Sequence, residues 1–202
     1  MIKTFSSRED IPALQAKHEA QKIAFGAVSF QAAVAMRDLG ILEYLFAHES
    51  TGATQSEIAK NLKLTEYGVR VLLEMGLSLD LVKLEGDKYF PTKTAFFILR
   101  DDLTRVNINF IKDVCYLGLD RLKESIVSGK PEGLKVFGDW PTIYEGLSQL
   151  PQQARKSWLE FDHYYSDRVF DLALPIVFAT KPKMLFDIGG NTGKWTLKCL
   201  DY

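Results

Sequence analysis

The sequence has little cysteine, no excess of either charge and no long apolar run. Its 202 residues include only two cysteines, Cys115 and Cys199, which are too few for a disulfide scaffold or a zinc cluster. Lys and Arg total 25 and Asp and Glu total 26, so the formal net charge of −1 provides no bulk attraction to nucleic acid or to an anionic membrane. Residues 1–10 contain no apolar run of the signal-peptide type. These features predict a cytoplasmic protein.

What is present is an ordinary globular composition, with 47% hydrophobic and 25% charged residues. A helical pattern runs from about Pro12 to Phe46, and its middle, Ile23 to Met36, is uncharged and too short to span a membrane. A helix that is apolar all round must be buried all round, and a small N-terminal domain has little mass with which to bury it. We therefore infer a homodimer in which this helix packs against a second copy. The alternative is a core helix within one chain.

The next segment has the element order of a winged helix. Thr54 and Glu57 have the spacing of a capping box at a helix start, and Thr65 is a plausible N-cap for a second helix over about Glu66 to Leu79. Short alternating runs on either side of Gly86 predict a β-hairpin. Helices followed by a hairpin form the winged-helix relative of the helix-turn-helix.

The charges of this segment do not favour DNA binding. Between residues 54 and 100 there are seven basic and six acidic side chains, and the would-be recognition helix carries Glu66 and Glu74 against Arg70 alone. A DNA-binding surface is expected to neutralise several phosphates and to present Arg, Asn or Gln to base edges. Nucleic acid is therefore an unlikely partner. A winged-helix regulator that senses a small aromatic ligand remains an alternative.

The middle of the chain predicts a helical connector that is rich in aromatic residues. An amphipathic helix is expected from Leu103 to about Gly129, and another from Gln152 to about Phe178. His163 is a candidate base or ligand, but a lone His beside Asp162 on a helix is more often one of a solvated pair, which is the interpretation we favour. The aromatic side chains either line an apolar ligand pocket or belong to the core; they are Trp140, Tyr144, Trp158, Phe161, Tyr164 and Tyr165.

The last segment predicts a strand, a glycine-rich turn and a helix. The apolar run Met184–Ile188 is followed by Gly189–Gly193 and by a helical pattern from Lys194, which is the order of the first unit of a doubly wound nucleotide-binding sheet. The glycine spacing does not fit the dinucleotide pattern G-x-G-x-x-G. A phosphate-binding P-loop does not fit either, because Ile188 stands at its first glycine and Trp195 at its Ser/Thr position.

The pattern that does fit is Asp-x-Gly-x-x-x-Gly, formed by Asp187, Gly189 and Gly193. It resembles the first cofactor motif of S-adenosylmethionine-dependent methyltransferases, D/E-x-G-x-G-x-G, with Asn191 in the place of the middle glycine. The order of segments resembles the small-molecule O-methyltransferases that carry an N-terminal winged-helix dimerisation domain, the plant caffeate and mammalian hydroxyindole type. Upstream, Phe161 begins a segment similar to the family's F-x-x-x-M helix, with Tyr165 in the Met position.

This resemblance implies a mainly α chain in three parts. They are a winged-helix dimerisation domain over residues 1–100, a helical connector and substrate cap over residues 101–180, and the start of a Rossmann-like domain that binds S-adenosyl-L-methionine over residues 181–202. The acceptor implied is a small, aromatic hydroxyl compound, and no metal is implied. The residues expected to contact cofactor or acceptor are Asp187, Gly189, Gly190, Asn191, Gly193, Tyr144, Phe161 and Tyr165.

The family's general base and the acid for the ribose hydroxyls lie later in the cofactor domain, so the resemblance implies catalytic residues beyond residue 202. A single strand over Met184–Ile188 cannot form a parallel sheet alone. We therefore expect the 202 residues to be an inactive N-terminal portion of a longer methyltransferase, completed by about 130–150 further residues. The alternative is a dimerisation module that ends naturally here and has no catalytic function.

Overall fold

A computed structural model describes residues 11–202, so the expectation for residues 1–10 lies outside the described residues. The chain divides into two units, of which the first ends at Asp101 and the second begins at Asp102. The helices of the first unit are α1 (Ala13–Ala24), α2 (Gly26–Asp38), α3 (Ile41–Ala47), α4 (Gln55–Leu62), α5 (Glu66–Ser78) and α6 (Lys93–Arg100). Its strands are β1 (Ala53–Thr54), β2 (Val82–Glu85) and β3 (Lys88–Pro91).

The three strands form an antiparallel sheet in the order β1-β3-β2, with β3 paired to both neighbours. Both predicted helix starts are confirmed. The Thr54 hydroxyl accepts from the Glu57 N–H at 3.3 Å while the Glu57 carboxylate accepts from the Thr54 N–H at 2.8 Å, and the Thr65 hydroxyl accepts from the Gly68 N–H at 3.2 Å. The predicted winged-helix order of helices and hairpin is confirmed.

The core of the first unit lies where α5 approaches α2. Val69, Leu73 and Gly76 of α5 are buried, and a methyl group at Gly76 would lie 2.9 Å from Cε of Met36. The glycine therefore allows the two helices to pack closely. The other residues of this core are Ile41, Leu42, Leu45, Ala53, Ile58, Ala59, Leu81, Val82, Tyr89 and Ala95.

The long N-terminal helix predicted from Pro12 to Phe46 is instead three helices, α1, α2 and α3. The first interruption is at Phe25, where the helical dihedrals end. The second is at Gly40, whose left-handed φ of +80° separates α2 from α3. This change of chain direction allows α3 to bury its apolar face in the core. Burial within the chain is also uneven along the uncharged stretch from Ile23 to Met36. Met36 is fully buried, whereas the Ile23 side chain is 83% exposed and that of Phe25 is 57% exposed.

The second unit is almost entirely helical. Its α-helices are α7 (Asp102–Phe110), α8 (Leu122–Ser128), α9 (Ile143–Gly146), α10 (Gln152–Phe178) and α11 (Lys194–Asp201). A π-helical segment (Ile111–Cys115) and 3₁₀ segments (Tyr116–Arg121, Glu132–Val136 and Leu147–Gln149) lie between them. The predicted bounds of α10 are confirmed, and so is the mainly helical fold class.

The helix predicted from Leu103 to Gly129 changes its hydrogen-bond pattern three times instead of continuing as one α-helix. Gly118 lies in its 3₁₀ segment, where a methyl group would be 2.5 Å from the carbonyl oxygen of Gly133. The two backbones therefore touch, and the tighter 3₁₀ winding occurs at this contact.

The strand predicted over Met184–Ile188 is not formed. Residues 184–188 have no partner strand among the described residues, and the side chains of Phe186 and Ile188 are 79% and 94% exposed. The physical reason is that a strand is defined by hydrogen bonds to a neighbour, which an apolar run cannot supply for itself. The glycine turn and the helix after it, α11, are formed as predicted.

Candidate functional site

The glycine turn has a backbone that few residue types can adopt. Gly189, Asn191 and Gly193 have left-handed φ values of +74°, +51° and +77°. Gly and Asn are the residues that tolerate this region best. The N–H of Gly193 donates to the carbonyl of Gly190 at 2.7 Å, which closes the turn, and Gly193 is the residue from which α11 begins.

The carboxylate of Asp187 folds back over the turn. Its Oδ2 accepts the hydroxyl of Thr196, from the first turns of α11, at 2.5 Å. A methyl group at Gly190 would lie 2.5 Å from the same oxygen. A side chain at position 190 would therefore displace Asp187, so in this chain the position of the carboxylate depends on a glycine there.

Polar side chains of α10 hold the turn from one side. The Asn191 amide donates to Asp162, the Thr192 hydroxyl lies 3.0 Å from Nε2 of His163, and Lys194 donates to Asp167 at 2.8 Å. Within α10, Nδ1 of His163 lies 3.0 Å from the carboxylate of Asp167. We name this group the α10–turn cluster; its members are Asp162, His163, Asp167, Asn191, Thr192 and Lys194.

The electrostatics of the cluster favour the ionised form of Asp167. Partial burial by itself raises the pKa of this carboxyl, but hydrogen bonds from Lys194 and His163 together outweigh it, so the net pKa lies below its ordinary value.

On the neighbouring helix, α11, the pKa of Cys199 shifts in the opposite direction. There burial and the negative charge of Asp187 raise the pKa of the thiol above its ordinary value.

A cavity of about 250 Å³ lies between the turn and α10. It is lined by Asp162, His163, Ser166, Phe170, Asp187, Gly189, Gly190, Asn191, Thr192, Lys194 and Trp195. Carboxylates, an imidazole, hydroxyls and the backbone around two glycines therefore converge on one small space. That combination suits hydrogen bonding to a polar ligand with adjacent donors and acceptors.

The structure brings five of the eight predicted contact residues together at the turn, but not the three aromatic ones. Phe161 stacks on Phe110 with ring centroids 4.1 Å apart, and Tyr165 donates to Asn107 at 2.9 Å. The Tyr144 ring meets Trp158 edge-on, with centroids 6.2 Å apart. These aromatic side chains pack along α10 and do not line the 250 Å³ cavity.

Sequence reasoning missed the contribution of α10 to the turn. His163 was interpreted as one of a solvated pair with Asp162, whereas its side chain is only 18% exposed and both ring nitrogens have partners. The spacing of His163 and Asp167, four residues apart on a helix, is the signal that was available. Nothing in the local pattern indicated that a turn 29 residues later would lie against them.

The described part of the chain contains neither a metal-binding cluster nor a helix that could cross a membrane. Among residues 11–202 there is no group of three or more His, Cys, Asp or Glu side chains placed to hold a metal ion. Within the same range, each helix is either too short or too polar to cross a membrane.

The first unit is similar to a known domain family. Residues 17–89 match the model of the Dimerisation2-like domain. This segment contains α2 to α5 and the sheet up to Tyr89, so the matched domain is the winged-helix part of the chain. No curated protein sequence matches the chain significantly.

Solved structures extend the likeness over nearly the whole chain. The S-adenosylmethionine-dependent methyltransferase SibL is 21% identical with a TM-score of 0.65 over 91% of this chain and 54% of its own. The mitomycin 7-O-methyltransferase MmcR is 16% identical, with a TM-score of 0.64, and the match covers 93% of this chain and 55% of MmcR. Human N-acetylserotonin methyltransferase, solved in complex with S-adenosylmethionine, is 21% identical, with a TM-score of 0.57. The match covers 98% of this chain and 58% of that enzyme. The chain thus has the fold of part of these enzymes and spans little more than half their length.

Proposed function

We propose that this chain is the N-terminal portion of a cytoplasmic S-adenosylmethionine-dependent O-methyltransferase that acts on a small aromatic hydroxyl compound. In this proposal residues 1–100 form the dimerisation domain, residues 101–180 the connector and substrate cap, and residues 181–202 the start of the cofactor domain. The observation that carries the proposal is the glycine turn, with its three left-handed residues placed directly before α11. The likeness to solved methyltransferases supports it. A cytoplasmic location is supported by two cysteines that form no disulfide.

The residues of the turn fit the cofactor. Asp187, Gly189, Gly190, Asn191 and Gly193 would hold it, because Gly189 and Gly193 leave the backbone open to a ligand and the N–H groups at the start of α11 point out of the helix as donors. When bound, S-adenosylmethionine supplies an electrophilic methyl group to the acceptor hydroxyl. This chain's part in the reaction is to bind, to orient and to exclude water.

The three aromatic residues Tyr144, Phe161 and Tyr165 are proposed to contact the cofactor or to border the acceptor. Tyr144 is 75% exposed and Tyr165 is 50% exposed, so both rings have a face available to a planar molecule. Offset or edge-on packing against such a ring contributes about 0.5–1.5 kcal/mol beyond burial of apolar area.

The site is proposed to be incomplete within these 202 residues. The cavity of about 250 Å³ is smaller than the ~300–1,000 Å³ of ordinary small-molecule sites. The side chains of Met184, Phe186 and Ile188 are largely exposed, as expected for a strand whose sheet partners come from elsewhere in the protein. We place the general base and the acid for the ribose hydroxyls in that remaining part.

Calorimetry and turnover together test this proposal. We expect the 202-residue chain to bind S-adenosylmethionine weakly, with Kd above about 1 mM, because it supplies one wall of the site. The chain extended to the full length of its gene product is expected to bind at least tenfold more tightly and to methylate a phenolic acceptor. Tight binding by the short chain would contradict the incomplete site, and a full-length protein that does not bind the cofactor would overturn the function.

We also propose that the protein is a homodimer through its N-terminal helices. Ile23, Phe25 and Val28, at the junction of α1 and α2, are 83%, 57% and 55% exposed within a single chain. A cluster of large apolar side chains at this exposure is typical of a protein–protein interface. The matched Dimerisation2-like domain covers the same residues and supports a second copy as the partner.

Placing a charge at this junction is expected to separate the dimer. The Phe25→Asp variant would bury a carboxylate in an apolar interface, and the cost of several kcal/mol is expected to raise the dimer Kd at least 100-fold. Sedimentation equilibrium measures this shift. Leu84→Asp is the matched control, because Leu84 is 45% exposed on the hairpin strand β2 and should leave the association unchanged. An unchanged Kd for Phe25→Asp would contradict this interface.

A further inference from the structure

We propose that Asn191 is a positioning residue that anchors the glycine turn to α10, so that the α10–turn cluster holds the turn in the shape that receives its ligand. Asn191 is the one position at which the turn departs from the methyltransferase pattern D/E-x-G-x-G-x-G, where it replaces the middle glycine. The obvious interpretation is that a side chain there crowds the ligand. The structure supports a different role, because the side chain is engaged with α10.

Two properties of Asn191 support this role. Its φ of +51° is a conformation that both Gly and Asn tolerate, so the substitution requires no change of backbone. Its amide donates a hydrogen bond to the Asp162 carboxylate, on a helix 29 residues earlier in the chain. A glycine would therefore keep the turn's backbone geometry available and lose only its attachment to α10.

The neighbouring contacts form one continuous row. His163, Asp167 and Asp171 are spaced four residues apart and so lie on one face of α10. Thr192, Lys194 and Lys198 contact these three residues in the same order along the turn and α11. The Asn191–Asp162 contact lies at the end of this row nearest to the centre of the turn.

The contacts are partly exposed, so their effect is expected to be local. Exposed ion pairs and hydrogen bonds contribute little to global stability. Several of them acting together nevertheless restrict the conformations of a turn that has glycine at three of its positions. Loss of Asn191 should therefore loosen the turn while the thermal midpoint of the chain barely moves. If Asn191 had only a structural role, its loss would loosen the turn and also lower the thermal midpoint of the chain.

Amide hydrogen exchange in the 202-residue chain tests the anchor without any ligand. The probe is the Gly193 N–H, which donates to Gly190 within the turn. We expect Asn191→Gly and Asp162→Ala to accelerate its exchange about tenfold, since each removes a charge-assisted hydrogen bond. Asp162→Asn keeps an acceptor and should restore slow exchange. Asp171→Ala is the matched control, because it removes an α10–α11 contact beyond the turn.

Cofactor affinity of the full-length protein is the second measurement, and only this part rests on the proposed function. By calorimetry, Asn191→Gly is expected to weaken binding of S-adenosylmethionine about three- to tenfold, whereas a crowding side chain would make the same variant bind more tightly. Unchanged exchange of the Gly193 amide, or tighter binding by Asn191→Gly, would overturn the anchor. Accelerated exchange in a protein that binds no cofactor would support the anchor and refute the proposed function.

Discussion

Replacing Gly193 with alanine is expected to weaken binding of S-adenosylmethionine by the full-length protein about tenfold. Gly193 has a φ of +77°, and its added methyl group would meet no atom within 4 Å, so the whole effect is conformational. Holding a residue with a Cβ in the left-handed region costs about 1–2 kcal/mol, and 1.4 kcal/mol corresponds to tenfold in affinity. The turn is expected to relax away from that strain and to lose the Gly193–Gly190 hydrogen bond. Calorimetry at constant temperature measures the change.

The chain offers a closely matched control for this experiment. Gly129 ends α8 with a φ of +67° and likewise has no atom within 4 Å of an added methyl group. Gly129→Ala therefore carries the same kind of strain in the same unit, away from the glycine turn. We expect it to lower stability slightly and to leave cofactor affinity unchanged. Equal losses of affinity in both variants would mean that the turn has no special role.

Replacing Leu73 with alanine is expected to lower the free energy of unfolding of the first unit by about 2–5 kcal/mol. Leu73 is fully buried on the face of α5 that packs in the core of this unit. Truncation removes apolar contact area and leaves a cavity, because the surrounding helices can collapse only partly. Urea unfolding followed by far-UV circular dichroism measures the loss. The same variant is expected to dimerise less, since the N-terminal helices depend on this core for their position.

Leu77→Ala provides the control on the same helix. Leu77 is 38% exposed and lies outside the core cluster, so truncation removes less buried area than at Leu73 and is expected to lower the free energy of unfolding by about 1 kcal/mol. A loss for Leu77→Ala as large as that for Leu73→Ala would show that burial in the core does not determine the cost of truncating a leucine on α5.

The winged-helix elements were predictable because their signals are local. The capping pair Thr54 and Glu57, the N-cap Thr65 and the hairpin turn at Gly86 each act within a few residues, and each appears where the sequence predicted it. The N-terminal helical pattern was wrongly predicted to form one long helix, because its interruptions depend on contacts between segments distant in sequence. Gly40 can continue a helix or end it, and the gain from burying α3 in the core decides between these outcomes.

The candidate site was predictable in its turn and not in its surroundings. Positions 189, 191 and 193 carry Gly, Asn and Gly, the residue types that tolerate a left-handed backbone best, and the structure has that backbone at all three. Assignment of these residues to a cofactor stays a prediction, as does the role of Tyr144, Phe161 and Tyr165. The contacts of Asp162 and His163 with the turn join residues 29 positions apart, and no local rule relates such positions.

By itself the sequence determined the helix starts, the hairpin, the bounds of α10 and the backbone of the glycine turn. These features follow from caps, glycine conformations and apolar periodicity, which act over one or two turns of chain. Only the tertiary structure decided that the N-terminal pattern breaks into three helices, that residues 184–188 remain unpaired, and that α10 holds the turn. Each of these depends on packing or hydrogen bonding between segments distant in sequence, and such contacts exist only once the chain has folded.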